Sequence, residues 1–397
     1  MKRNLGVIDT GLILGLLALS LVGVMAYLFP TATLPSPEGQ YAVGLQILEL
    51  EDRSRQDPFV DVEMTRRLLI DVWYPAEETA GKRRSAWFRT PSLFINSLAS
   101  NYDLPSIIFQ HLRAVKTNSY IEALPLESEE GFPVLILSPG TPAIVPLYFS
   151  FAEYLASRGY IVIGIEHPYG AAVVEFSDGT QAHFSRERAF KFPGVETFEE
   201  GVRYGMRWMA EDFSFVIDEL ERLNASSEFP NGFFDTSRIS VFGHSGGGGV
   251  VSFLSQRDER VKAMVSFDPA LFAMTEESLS AGVNIPSFIM ETGLWLEREE
   301  AGDLHLFIQN SPVKPFHLKI PDANHPDFAM LDRLSPLAHY LGFTGTFMAN
   351  GGEEYLHRSI FSFLEYVLNN GSIDILIENL LSRKDVQVFY GAQEIVK

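Results

Sequence analysis

The sequence predicts an α/β fold in which a mostly parallel central sheet is covered by helices on both faces. Two patterns carry this expectation. Short, continuously apolar runs of strand length alternate along the chain with longer segments of helical periodicity, and 46% of the 397 residues are hydrophobic, enough for a large core. Strands of a sheet buried on both faces meet water on neither side of the pleat, so they read as unbroken apolar runs.

Taken in order, the chain starts with Lys2 and Arg3 before an apolar run over 11–29 that only Ser20 interrupts. At about 1.5 Å per residue such a helix nearly crosses a bilayer core of about 30 Å. It is also longer than the usual apolar core of a cleaved signal, about 7–15 residues. An uncleaved anchor, a cleaved signal and a buried core helix are the three readings. The first two export the chain, and positive charge on the leading side places residues 38 onward outside the cytoplasm. A turn-rich stretch over 30–37, with three prolines, closes this part as a linker.

Beyond it, apolar strand runs fall at 68–73, 134–137, 160–165, 239–242, 261–267, 286–290 and 316–320. Helical segments lie at 147–157, 206–223, 247–254 and 353–368. In the second, Met206, Met209, Phe213, Ile217, Leu220 and Leu223 recur at spacings of three and four, the stripe of an amphipathic helix. Two insertions break the rhythm. Residues 78–130 lack strand runs but carry Trp87, Phe88, Phe94, Phe109 and Leu112, either as a cap that completes the core or as a lid or lipid-facing surface. Residues 172–184 read as a hairpin turning at Ser177-Asp178-Gly179.

Composition removes several function classes. Lys plus Arg at 31 against Asp plus Glu at 51 gives a formal charge of −20, the wrong sign for a nucleic-acid partner, which must displace counterions with a basic surface. Cysteine is absent, so disulfides, thiolate-held metals and a cysteine nucleophile are excluded together.

The most informative segment is Gly243-His244-Ser245-Gly246-Gly247, a GxSxG motif directly after an apolar strand and before small residues that open a helix. A serine on such a turn has a strained, exposed backbone, and the following helix aims free N–H groups at it. Ser245 is therefore the expected nucleophile, and His244 at the variable position reads as structural. A serine hydroxyl needs a base, itself oriented by a carboxylate. Five of the nine histidines follow Ser245. His305 and His317 fall within or beside strand-like segments, His339 in a short helical stretch and His357 on the final helix. Only His325 occupies a polar turn just past a late strand, where such a base belongs. Asp268, ending the strand 261–267, and Glu291, ending the next, are equally placed as the acid; Asp322 is too near His325 in sequence.

These residues also carry a likeness. The segments 132–140 and 155–167, the elbow around Ser245, Phe267-Asp268-Pro269-Ala270 and His325-Pro326-Asp327-Phe328 resemble the platelet-activating factor acetylhydrolase family of α/β hydrolases, bacterial members included, over roughly 66–370. The resemblance implies the α/β-hydrolase fold and an acid after the strand that follows the elbow helix, hence Asp268. It implies an oxyanion hole from the backbone N–H groups of Thr141 and Gly246. In this chain Ser138-Pro139-Gly140 stands where relatives often carry Ser-His-Gly, and Gly246 replaces the bulkier residue of the plasma member. The implied activity is hydrolysis of short or oxidised acyl esters of phospholipids through an acyl-enzyme, with no metal or organic cofactor. A general short-chain carboxylesterase, a polyester or dienelactone-type hydrolase, and a non-catalytic binding module on the same fold are the rivals. The expected organisation is residues 1–38 as anchor or signal with linker, and 39–397 as one catalytic domain with its cap at about 78–130. Expected partners are a lipid or small-molecule ester and, through the apolar helix, a membrane.

Weaker features are the Asn224-Ala225-Ser226 and Asn370-Gly371-Ser372 glycosylation patterns and the run Gly246 to Gly249, which lacks phosphate-loop spacing. Glu166 and His167 end a strand at the active edge, a place suited to pocket lining or to structure.

Overall fold

The computed structural model describes residues 5–31, 34–60, 64–101, 103–192, 194–296 and 301–396. Its frame is eight strands: β1 Ala42–Gln56, β2 Thr65–Glu78, β3 Phe132–Ser138, β4 Ile161–Glu166, β5 Phe234–His244, β6 Val261–Phe267, β7 Ser287–Thr292 and β8 Phe316–Ile320. They lie in the order β8-β7-β6-β5-β3-β4-β2-β1, and further short strands extend both edges. From β4 through β8 every pairing is parallel, while β2 runs antiparallel to both β4 and β1. The mostly parallel α/β architecture expected from the apolar runs is the one present.

Alternation along a strand sends side chains to two cores. In β3, Val134 and Ile136 join the cluster that contains Met206, Phe213 and Leu220, whereas Leu135 and Leu137 join the one that contains Phe151, Leu356 and Phe363. The N-terminal helix α1 Leu5–Leu28 stands apart from the sheet, with none of Thr10–Leu28 buried, and the other main helices are α2 Pro91–Asn101, α3 Phe149–Ala156, α4 Phe198–Asn224, α5 Gly246–Leu254, α6 Ala301–Asn310 and α7 Gly352–Leu368. The predicted stripe of α4 is buried throughout, and Thr197 with Glu200 closes its first turn in a capping box.

Three local expectations are corrected. β1 has no counterpart among the predicted strands because its sequence, Leu45-Gln46-Ile47-Leu48-Glu49-Leu50-Glu51, mixes charge with apolar residues, as befits a strand near a sheet edge. The 78–130 segment does hold strands: Lys116–Ile121 adds in parallel to β1, and Arg84–Ala86 pairs with it. Its polar composition hid it, yet Trp87, Phe88, Phe94 and Leu112 pack into the core while Ile107 stays exposed. His305 is on helix α6, not in a strand-like segment. The second insertion is a hairpin, Val173–Glu175 against Gln181–His183, turning through Gly179 at φ 82°.

Candidate active site

Ser245 sits between the last residue of β5 and the first of α5 at φ 55° and ψ −118°, a positive-φ conformation that costs a side-chain-bearing residue of order 1–3 kcal/mol. Glycine on either side makes the turn possible. A Cβ at Gly243 would stand 2.2 Å from the Gly247 carbonyl oxygen, and one at Gly247 would stand 2.4 Å from that of Ser138.

Asp268 follows β6, fully buried, with its backbone at φ 40°. Its carboxylate accepts hydrogen bonds from Thr292 N–H and Thr292 Oγ1, both at 2.7 Å, at the end of the neighbouring β7. The third contact is Nδ1 of His325 at 2.9 Å from Oδ2. His325 opens a short 3₁₀ turn after β8, held by a capping box between Asn324 and Asp327. Trp295 lies flat against its imidazole, with centroids 4.6 Å apart and planes 8° from parallel. A carboxylate on Nδ1 fixes the tautomer that leaves the Nε2 lone pair free to take a proton.

Ser245 and His325 line one cavity of about 420 Å³, with an apolar wall that includes Phe94, Leu98 and Leu331. No hydrogen bond joins Ser245 to His325 among the described residues; what they share is the cavity. Thr141 meets the start of α5 across the same space, its N 3.6 Å from where a Gly246 Cβ would be. Neither the Thr141 nor the Gly246 N–H has a hydrogen-bond partner among the described residues.

His244 is buried beside this cavity, 4.5 Å centroid to centroid from His325. Burial pushes its imidazole far below the usual histidine range, and the charge of His325 acts the same way. Tyr148 Oη accepts from Gly140 N–H at 3.0 Å and shares a hydrogen bond with His244 Nδ1 at 2.7 Å. His244 thus braces the turn that carries Thr141. Possible ligand atoms of His244, Asp268 and His325 fall within 4.8 Å of one another, a closeness that the bonds to Tyr148 and Asp268 already explain.

Glu291 lies elsewhere. Alternation along β7 turns it to the opposite face from Thr292, where Oε2 is 3.0 Å from His317 Nε2 and 3.5 Å from His305 Nε2. Glu166 and His167 also divide. Glu166 lines a second cavity of about 480 Å³ that shares Phe94 and Ile144 with the first, whereas His167 is sealed inside the protein. Thr292, Trp295 and Tyr148 escaped the sequence reading, since an isolated threonine or aromatic residue carries no pattern until folding supplies its neighbour.

Strand order, a strained serine between a parallel strand and a helix, and an acid–histidine pair at the carboxyl edge of the sheet define an α/β-hydrolase fold. Within that fold class the chain is similar to the platelet-activating factor acetylhydrolase, isoform II family, whose model matches residues 26–201. It is 25% identical over 277 residues to a probable 1-alkyl-2-acetylglycerophosphocholine esterase of Arthroderma benhamiae, covering 66% of this chain and 65% of that protein. To the platelet-activating factor acetylhydrolase of Cavia porcellus it is 23% identical over 299 residues, covering 71% of this chain and 65% of the relative. The matches thus span just under two thirds of the length of these two relatives. In fold it is similar to a ferulic acid esterase from Streptomyces cinnamoneus, with a TM-score of 0.73 and 23% identity over 90% of this chain and 99% of the other.

Proposed function

We propose that the chain is a serine ester hydrolase acting through an acyl-enzyme, with Ser245, His325 and Asp268 as nucleophile, base and acid. The observation that carries this is the His325–Asp268 hydrogen bond of 2.9 Å beside a strained serine on the same cavity. Ser245 Oγ adds to the ester carbonyl as its proton passes to His325 Nε2. The tetrahedral oxyanion is met by the N–H groups of Thr141 and Gly246, each such donor typically contributing about 2.7–4 kcal/mol. Collapse expels the alcohol, which takes the proton from His325. Water then adds to the acyl-enzyme, giving its proton to His325, and the carboxylic acid leaves as Ser245 regains its hydrogen.

The substrates we propose are phospholipid esters with short or oxidised acyl chains. The names of the relatives support that choice, as does the apolar wall of the cavity. Anchoring at the outer face of a membrane is supported by Thr10–Leu28, 19 residues of mean hydropathy 2.3 with none of the span buried in the protein. The test is labelling by a fluorophosphonate probe, followed by hydrolysis of an acetylated alkyl phosphocholine lipid beside p-nitrophenyl acetate. Wild-type labelling that Ser245→Ala abolishes, with preference for the lipid, is expected. Preference for the aryl ester points to a general carboxylesterase, and no labelling to a binding module.

A further inference from the structure

A second serine–histidine–aspartate chain lies inside the protein, one residue short of the turn that carries Gly140 and Thr141. Ser138 Oγ is 3.1 Å from His167 Nε2, and His167 Nδ1 is 2.8 Å from Asp212 Oδ2. Arg66 holds Asp212 through Nη2 at 2.7 Å and Nε at 3.2 Å, and Arg55 reaches its Oδ1 at 2.9 Å. Ser138, Asp212 and Arg66 are 0% exposed and His167 is 2% exposed, so no substrate reaches this serine.

Proton positions follow from the surroundings. Burial alone would raise the Asp212 carboxyl, but the Arg66 charge and the hydrogen bonds from His167 and Arg66 outweigh it and hold the group ionised. Burial lowers the His167 imidazole despite Asp212, so the ring is neutral near pH 7. Nδ1–H therefore donates to Asp212, and the Nε2 lone pair accepts from the Ser138 hydroxyl. Ions placed this deep are weak contributors to net stability, because desolvation offsets most of their attraction; what they fix is geometry.

The geometry in question is that of the site. A Cβ at Gly247 would meet Ser138 O at 2.4 Å, Pro139 O at 2.6 Å and Ser138 Oγ at 2.8 Å, so Ser138 rests directly on the first turn of α5. Three residues on is Thr141, facing Gly246. The far side of the turn is tied by Gly140 N–H to Tyr148.

We infer that His167 and Ser138 are positioning residues: the buried chain from Asp212 sets the height of the 138–141 turn over α5, and with it the aim of the Thr141 N–H at the oxyanion. This rests on the ester-hydrolase reading above. The test uses the full chain in detergent and reads kcat and KM for p-nitrophenyl acetate per Ser245 titrated with the fluorophosphonate, together with Tm. For His167→Leu, kcat per labelled serine should fall about 10²-fold, as expected for a misplaced catalytic group, with KM within about twofold. His167→Gln, whose amide can still accept from Ser138, should recover about tenfold of that loss. Ser138→Ala provides the same reading with less disturbance of the core, and its kcat should fall about tenfold, about the worth of one buried hydrogen bond. If His167→Leu does not fold, Ser138→Ala decides alone. Variants that keep kcat per labelled serine within about twofold of wild type overturn the positioning role while the esterase reading stands. A wild-type chain that neither labels nor hydrolyses ester overturns both.

Discussion

Nδ1 of His325 lies 2.9 Å from Oδ2 of Asp268, and that carboxylate is held in turn by the N–H and hydroxyl of Thr292 at 2.7 Å each. The contact separates two carboxylates that their positions in the chain leave equivalent. Asp268 and Glu291 each end a strand, but only Asp268 reaches His325, while Glu291 is bound to His317 on the other face of the sheet.

Substitution should expose the difference. Asp268→Asn offers His325 an amide that can donate, which favours the wrong tautomer, and kcat should fall about 10³–10⁴-fold. Glu291→Gln should lower Tm yet leave kcat within about threefold, since its partners are remote from the cavity. Steady-state hydrolysis of p-nitrophenyl acetate by the two variants is the check, and the opposite ranking would sink the assignment of the acid.

The ring stacked on His325 gives a second test. Trp295 covers one imidazole face at 4.6 Å, restricting its swing and, in the proposed reaction, favouring the cationic ring that would form as Ser245 gave up its proton. Trp295→Ala should lower kcat about tenfold and Trp295→Phe should restore most of it, because the smaller ring still provides an aromatic face. Equal rates for wild type and Trp295→Ala would show that Asp268 alone orients the base.

Much of this arrangement was legible before folding, for a physical reason. A strand buried on both faces must be apolar throughout, and a nucleophile turn needs glycine where Cβ atoms would collide, so β3 to β8 and the elbow announce themselves locally. Asp268 was visible as a candidate, but its pairing with His325 depends on how far apart two chain segments end in space. Only the family likeness favoured it over Glu291. What stayed hidden was of the same long-range kind: β1, polar because it lies near an edge; Trp295, one aromatic residue among many; and Ser138 with His167 and Asp212, three residues joined only when β3, β4 and α4 pack together.

Membrane attachment makes a separate prediction. α1 presents an apolar surface unburied by the rest of the chain, so its helix has no soluble environment to satisfy it. Expressed in full, the chain should sediment with membranes and resist carbonate extraction at its full mass, while protease added to intact cells or spheroplasts should reach residues beyond 38. A product that is soluble and shortened near residue 38 would indicate a cleaved signal; one that is soluble at full mass inside the cell would overturn export.

The last prediction concerns Glu166, 1% exposed at the end of β4. Its Oε1 accepts from Val145 N–H at 3.2 Å, whereas Oε2 has no hydrogen-bond partner among the described residues. Burial pushes the carboxyl up to about 8, opposed by the Arg89 guanidinium and assisted by the charge of Asp71. In the folded protein the group is therefore protonated up to about pH 8, while in the unfolded chain it ionises above its ordinary 4.5. Between these values the folded state holds the extra proton, so stability from this group is complete below about pH 4.5, declines as pH rises and is gone above about pH 8. Glu166→Gln keeps the shape without the ionisation. Its Tm should nearly equal that of wild type at pH 4.5 and exceed it increasingly toward pH 8.5, with a stability difference of about 3–5 kcal/mol at the upper end. Thermal unfolding of both proteins across that range is the measurement. A difference independent of pH would mean that Glu166 is already ionised in the fold, with Arg89 and not a proton neutralising it.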